Sequence, residues 1–222
     1  MGDGNYDELK RMAVGLGADL FGVAEKSRLE EYIDDEIKAA TAKMSYIISL
    51  GIRLQKAVLD TLVDGPNQLY KTHYRQANVD LDHASHRLAT HIQNRGFAAM
   101  PIAASFTLDW QRQTAHISHR HVAYEAGLGF RGRNNLLVHP RYGAAVRLSS
   151  ILTDMPLTPD NPLPDDCGDC VACIVACPAD AIGADAFNFD KCYAQIKKFA
   201  RENNCNLNIC GLCIKACGDA RL

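Results

Sequence analysis

The groups in this chain best able to do chemistry are its thiols. All nine cysteines fall between Cys167 and Cys217, and the 166 residues before them contain none. Their spacing says more than their number. Cys167, Cys170, Cys173 and Cys177-Pro178 follow a C-x2-C-x2-C-x3-C-P run. In such a run three thiolates wrap one face of an iron-sulfur cube, and the fourth serves the other cube of a pair. Four thiolates also suit tetrahedral zinc, but zinc sites usually present two separated pairs, a pattern this run does not have.

The run is partly repeated. Cys170-Val-Ala-Cys173-Ile-Val-Ala-Cys177 and Cys210-Gly-Leu-Cys213-Ile-Lys-Ala-Cys217 align at an offset of forty residues, so two [4Fe-4S] clusters are expected. Leu207 stands at the position equivalent to Cys167, which leaves the second site one ligand short. With ligands exchanged between the two runs, one cluster takes Cys167, Cys170, Cys173 and Cys217. The other takes Cys177, Cys210, Cys213 and either Cys192 or Cys205, with one thiol to spare. Such cubes pass single electrons and perform no organic chemistry alone, so the upstream residues are expected to hold the electrons' destination.

A chain of 222 residues, 47% apolar and 23% charged, suffices for a core domain with a small appendage and excludes disordered and fibrous classes. The start, MGDGNYDELK, shows no basic-then-apolar leader, and no apolar run reaches the length of a membrane span. A cytoplasmic protein without a membrane partner is expected, and in a reducing compartment clustered thiols hold metal more often than they form disulfides. Residues 165–222 carry six Lys/Arg against eight Asp/Glu and residues 1–164 eighteen of each, so neither part reads as a nucleic-acid-binding tail. Between residues 111 and 147, however, Arg112, Arg120, Arg131, Arg133, Arg141 and Arg147 accompany a single acid, Glu125. That density suits either an anionic group such as a phosphate or a solvated basic face.

The pattern of the first half predicts helices over residues 6–16, 27–41, 79–95 and 114–126, and strands over 44–50, 98–102 and 144–152. Asn78 is a natural cap for the third helix and Gly96 a natural stop. The alternation is too irregular for a doubly wound sheet, so an α+β arrangement with a mixed α/β first domain is expected. Four prolines between 156 and 164 remove backbone donors and predict a linker without regular structure. The expected domains are therefore 1–155, a linker at 156–164, and a metal-dependent domain at 165–222, too poor in large apolar residues to form a strong core unaided. His83, His86 and His91 read as surface residues. His116, His119 and His121 read as surface or ligand-contacting residues, since no fourth metal ligand accompanies them.

The run from Ala126 to Gly143, AGLGFRGRNNLLVHPRYG, followed by Leu148-Ser-Ser-Ile-Leu-Thr-Asp-Met-Pro-Leu157 and the Cys167 run, resembles epoxyqueuosine reductases and, more distantly, reductive dehalogenases. Leu16-Gly-Ala-Asp-Leu-Phe-Gly-Val-Ala24 is similar to that family's amino-terminal segment. The resemblance implies a nitroreductase-like first domain that binds cobalamin, followed by a small ferredoxin-like domain with two clusters that feeds it electrons. It also implies Cys192, rather than Cys205, as the missing ligand. A reduced ferredoxin or flavodoxin is the electron donor expected for such an oxidoreductase. Two departures stand out. Gln113 holds the place of the family's proton-donating Asp, and an amide cannot give up a proton. Nothing in the chain corresponds to the family's helical-repeat domain. Both argue against the family's tRNA-modifying role, and no catalytic residue is assigned; Tyr74 is one conceivable proton donor.

The glycine-rich loop has its own reading. Gly127, Gly129 and Gly132 allow close backbone approach to a ligand, Arg131 and Arg133 offer cationic donors, and Asn134 and Asn135 offer neutral ones. With Phe130 and Tyr142 of the same run, Gly127, Gly129, Arg131, Gly132, Arg133 and Asn134 form the candidate cofactor-binding set. A tight turn would explain the glycines equally well. FMN in place of the corrinoid, and an electron-transfer module with no organic cofactor, are the alternatives.

Overall fold

The computed structural model describes residues 2–203 and 205–219. Helix α1 (Gly2–Gly15) buries Leu9 and Ala13 and leads into strand β1 (Leu20–Glu25). Two 3-10 turns, Lys26–Arg28 and Glu30–Tyr32, and the short helix α2 (Asp35–Lys38) come next. The chain continues through β2 (Tyr46–Arg53), α3 (Lys56–Leu59), the long α4 (Gln68–Asn94) and β3 (Ala99–Ile102). Then follow α5 (His119–Glu125), β4 (Phe130–Arg131), β5 (Leu137–Val138) and β6 (Val146–Thr153). The cysteine-rich segment carries α6 (Ala172–Val175), α7 (Phe189–Glu202) and α8 (Leu212–Asp219).

Four strands form one sheet in the order β1-β2-β6-β3. Strands β1 and β2 pair antiparallel with Leu20 opposite Gly51, and β3 pairs antiparallel with β6, with Ala99 opposite Thr153. Bonds from Ser45 N to Thr153 O (3.1 Å) and from Leu54 N to Ala145 O (2.7 Å) flank β2 and β6 and set them antiparallel as well. The fold is a mixed α/β arrangement around an antiparallel sheet.

Several expected elements moved, each for a tertiary reason. Leu29, Ile33 and Ile37 are buried at helical spacing, which is why residues 27–41 read as a helix. Ile33 instead bridges to Ile117 in antiparallel fashion, and Asp34 N donates to His116 O at 2.9 Å, so the backbone there is extended. Only α2 remains, with the Asp34 carboxylate accepting from Glu36 N. Helix α4 begins eleven residues before the expected start. Its first turn is capped by Asn67, whose Oδ1 accepts from Tyr70 N at 2.9 Å, while Asn78 lies buried inside the helix and accepts from Arg147 Nε. Residues 108–114 form a turn closed by Leu108 N to Thr114 O (2.8 Å), with Gln113 at φ +54°, so α5 starts only after Ser118. Strand β1 has no counterpart among the expected elements.

The chain divides into two compact units that do not follow the expected boundaries. One comprises Met1–Ile52, Ala77–Gly129 and Arg147–Leu163, and the other Arg53–Gln76, Phe130–Val146 and Pro164–Leu222. Residues 53–76 and 130–146, expected with the first domain, thus group with the cysteine-rich segment. In the first unit Leu9, Val23, Ile48, Leu50, Leu81, Leu88, Ile92 and Ile151 share one buried core. Full burial of each such side chain stabilises the fold by about 1.5–3 kcal/mol. The proline stretch has no regular structure, but it is tied down. Asp160 N donates to Val23 O at 2.8 Å, and the Asp160 carboxylate accepts from Val23 N at 2.9 Å and from Tyr6 Oη at 3.1 Å.

Candidate metal centres and cofactor site

The second unit carries the cysteines. Cys170 N donates to Cys167 O at 3.0 Å, a tight turn that leads into α6, where Cys173 is buried; Cys217 arrives from α8. Cys167, Cys170, Cys173 and Cys217 line one hollow together with Arg133, Asn134 and Val138. These are the four thiols that the crossed repeat assigns to one cluster.

A small hairpin supplies the other wall. Strands β4 and β5 pair antiparallel, Phe130 opposite Val138, and Gly132 N donates to Leu136 O at 2.9 Å, so Arg133 and Asn134 sit at its tip. Arg133 spends its guanidinium on three carbonyls of the unit: Nε donates to Ala184 O (3.0 Å), Nη1 to Cys170 O (2.9 Å) and Nη2 to Gly168 O (2.9 Å). Asn134 is 4% exposed. Its Oδ1 accepts from Leu136 N at 3.2 Å, which fixes the amide, and its Nδ2 is buried without a hydrogen-bond partner. A buried N–H without an acceptor costs about 1–3 kcal/mol, so its persistence beside four thiols fits an acceptor such as cluster sulfur in that hollow.

Cys177, Cys192, Cys210 and Cys213 act on one another. Burial and then the neighbouring Cys177 push the Cys192 thiol up. Burial pushes Cys210 up to about 11, with Cys192 and Cys177 adding to it. Burial and then Cys210, Cys192, Cys173 and Cys177 push Cys213 up further. Buried thiolates in one place repel, and a cationic centre would reverse that penalty. Ala181 N already donates to Cys177 Sγ at 3.3 Å. Cys205 lies apart from this set. It is fully buried, its Sγ is 3.8 Å from Pro66 O, and burial raises its thiol with no other cysteine among the groups acting on it. Among the described residues no three His, Cys, Asp or Glu side chains are gathered to hold a single metal ion.

The candidate cofactor set is distributed. Gly127, at φ +69°, and Gly129 belong to the first unit. A Cβ on Gly127 would meet Asn161 O at 2.7 Å, so the close approach there is made by the chain itself. Phe130, Arg131, Gly132, Arg133, Asn134 and Tyr142 belong to the second unit. Phe130 is buried with Val138, Ala144 and Cys217, Arg131 is exposed, and a Cβ on Gly132 would meet Val138 Cγ2 at 2.5 Å. Tyr142 stacks on His139, with ring centroids 4.7 Å apart. The arginines are dispersed too, for Arg147 donates to Asn78 Oδ1 and Ala104 O.

The histidines are engaged in the first unit. His116 stacks on Phe106, and His121 stacks on Tyr32 and bonds Ser118. His119 Nε2 donates to Ala103 O at 2.9 Å and its Nδ1 bonds Ser150 Oγ; burial pushes its pKa down to about 4. His91 bonds Glu8, while His83 and His86 are exposed. Sequence reasoning missed the roles of Arg133 as a brace and Asn134 as an inward donor. No local pattern distinguishes either from its neighbours Arg131 and Asn135.

The chain has an antiparallel α/β sheet in one unit and a cysteine-lined hollow in the other, and comparison with known proteins shows what it is similar to. No protein-family profile matches the chain. It is 44% identical over 80 residues to an epoxyqueuosine reductase of Staphylococcus aureus, a match covering 36% of this chain and 21% of that protein. It is 29% identical over 196 residues to an epoxyqueuosine reductase of Cyclobacterium marinum, covering 80% of this chain and 63% of that one. A solved reductive dehalogenase, described as pointing to a mechanism for B12-dependent dehalogenation, superimposes with a TM-score of 0.78 at 21% identity, over 98% of this chain and 32% of its own. Solved epoxyqueuosine reductases share the fold as well. The chain is thus related in sequence to epoxyqueuosine reductases and has a fold common to them and to reductive dehalogenases, and it spans less than two thirds of the length of these relatives.

Proposed function

We propose that this chain is an oxidoreductase component that holds two [4Fe-4S] clusters in a ferredoxin-like segment and delivers electrons to a corrinoid held by a nitroreductase-like part. The observation that carries the reading is the hollow shared by Cys167, Cys170, Cys173 and Cys217, with the unpartnered Asn134 amide beside it. The clusters would supply one-electron transfer at low potential. The second set is Cys177, Cys192, Cys210 and Cys213, with Cys205 in reserve as a packed core thiol.

This chain's own residues shape the first site. Arg133 holds the Cys167–Cys170 turn by its carbonyls, Val138 and Phe130 keep water from one side, and Asn134 offers an N–H to sulfur. The corrinoid rests on the likeness to proteins described as B12-dependent. The engagement of Arg133 and the filled space at Gly127 favour a second reading, an electron-transfer module without an organic cofactor. A tRNA substrate is not part of the proposal, because an amide, Gln113, stands at the expected place of an acid.

Anaerobically purified protein tests both readings. About eight irons per chain and a violet absorption that dithionite bleaches are expected. About four irons, or zinc in their place, would sink the two-cluster proposal. Titration with hydroxocobalamin and FMN, followed by the emission of Trp110, the single tryptophan of the chain, separates the rest. Micromolar cobalamin binding supports the corrinoid reading, FMN binding replaces it, and no binding of either leaves the module.

A further inference from the structure

In the second unit, helix α7 carries one thiol of the second set and turns a cationic, partly aromatic face to solvent. Asn188 caps the helix, its Oδ1 accepting from Lys191 N at 3.0 Å. Cys192 and Phe199, seven residues apart, fall on one side of it. That side faces inward: burial and the neighbouring Cys177 push the Cys192 thiol up, and Phe199 is buried close against Gly65. Phe189, Tyr193 and Lys197 follow another line at four-residue steps, the spacing of neighbours on a helix surface. The Phe189 and Tyr193 rings stack with centroids 5.5 Å apart, and Lys197 Nζ lies 4.4 Å from the Tyr193 centroid. Phe189 is 40% exposed, so the ring pair reaches water.

The charges along this part of the chain are segregated. Lys191, Lys197, Lys198 and Arg201 of α7 are all exposed, against the two acids Asp190 and Glu202, so the helix carries a net charge of +2. Lys198 pairs with Glu202 at 3.9 Å, whereas Lys191 Nζ meets a neutral carbonyl, Asp180 O, at 3.5 Å. The preceding stretch has the opposite sign. Residues 165–189 hold Asp165, Asp166, Asp169, Asp180 and Asp185, all exposed, and no Lys or Arg. The chain around Cys167, Cys170 and Cys173 is therefore acidic, and the helix that bears Cys192 is basic.

Iron-sulfur cubes take one electron at a time, so their reductant is a one-electron carrier that must come close. A carrier of negative charge is steered towards α7 and repelled by the acidic stretch. The stacked Phe189–Tyr193 pair gives it an apolar contact inside a charged rim, as protein interfaces are built. Seated there, it is separated from Cys192 by about the width of one helix, 10–12 Å. We infer that the exposed face of α7 docks an acidic ferredoxin. The reduced ferredoxin loses one electron, the cluster of Cys177, Cys192, Cys210 and Cys213 gains it, and no bond or proton changes hands. The transfer rests on the two-cluster reading; the docking does not. An RNA strand fits the face less well, because its charge is extended. The bonds from Lys191 Nζ to Asp180 O and from Asn188 N to Ala181 O place the acidic stretch beside the first turn of α7, where it opposes a long polyanion.

Anaerobic calorimetry of the full chain with a purified plant-type [2Fe-2S] ferredoxin reads the docking. Stopped-flow mixing with the reduced ferredoxin, following the return of its oxidised visible band, reads the transfer. One ferredoxin per chain is expected to bind, more weakly as salt rises. Lys191→Glu and Lys197→Glu, at exposed positions, should each weaken binding and slow transfer about tenfold. Iron content and photoreduction by a deazaflavin, a small reductant that needs no docking face, should stay as in the parent. Asp169→Lys and Asp185→Lys should not weaken binding. No ferredoxin binding at low salt, equal binding by the parent and both lysine variants, or a loss confined to the aspartate variants overturns the inference. An RNA stem-loop that binds in place of ferredoxin and is released by the lysine variants overturns it too, in favour of a nucleic-acid face. Ferredoxin bound as expected by a chain with about four irons would sink the two-cluster reading and leave the docking face standing, and a full iron complement without binding would do the reverse.

Discussion

Arg133 donates from Nη1 to the carbonyl oxygen of Cys170 at 2.9 Å, and its other two guanidinium donors hold Gly168 and Ala184. An arginine that sequence alone offers to a phosphate is thereby committed to the turn that presents two thiols. Arg133→Lys keeps the charge but brings a single nitrogen where three spread nitrogens donate, so it cannot hold Ala184 O, Cys170 O and Gly168 O together. We expect it to cost about 1–3 kcal/mol in urea unfolding and to speed iron loss to a chelator. Unchanged iron retention would show that the turn holds itself.

Cys192 and Cys205 separate in the same way. Cys192→Ser should remove about half of the iron, since one cube loses a ligand, whereas Cys205→Ser should retain all of it. The second variant should instead lower stability by about 1–2 kcal/mol, because a hydroxyl replaces a buried thiol beside Pro66 O. Iron analysis of both proteins decides the matter, and loss only with Cys205→Ser would reverse the assignment.

The inward N–H of Asn134 gives an electrochemical prediction. Hydrogen bonds to cluster sulfur favour the reduced, more negative state and raise the potential. Asn134→Asp preserves the acceptor for Leu136 N, removes the donor and adds negative charge, so one of two midpoint potentials should fall while the other stays. Redox titration followed by electron paramagnetic resonance reads both. A shift of neither would place the amide outside the cluster's reach.

His119 predicts the acid limb of stability. Its folded pKa is pushed down to about 4 by burial, with the Arg147 charge adding to the effect, against an ordinary value of 6.5. Between those values the unfolded chain binds the proton and the folded chain does not. Stability is therefore full above about pH 6.5 and falls as the pH drops towards 4. In His119→Gln, which can still donate to Ala103 O, urea midpoints at pH 7.5 and 5.5 should lie closer together than in the parent.

The linker offers a last test. Asp160 accepts from Val23 N and Tyr6 Oη, and burial with the nearby carboxylate pushes the Tyr6 hydroxyl up to about 12. Asp160→Ala should destabilise the first unit by about 1–3 kcal/mol and return the Tyr6 titration towards 10. A linker that were merely slack would tolerate the change.

Local pattern was enough wherever the cause was local. Strands β2, β3 and β6 and the later turns of α4 are legible from alternation and helical spacing, and the likeness to epoxyqueuosine reductases from the residues between Ala126 and Gly143. The repeat in spacing groups Cys167, Cys170 and Cys173 with Cys217, and Cys177 with Cys210 and Cys213, but by itself leaves Cys192 and Cys205 open as the eighth ligand. What spacing could not supply was choice among distant partners. Asp34, Asn78 and Arg133 each carry a sequence signal that is overruled by a bond to a residue far along the chain, His116, Arg147 and Cys170. Cys205 is set apart from Cys192 only by what packs against it.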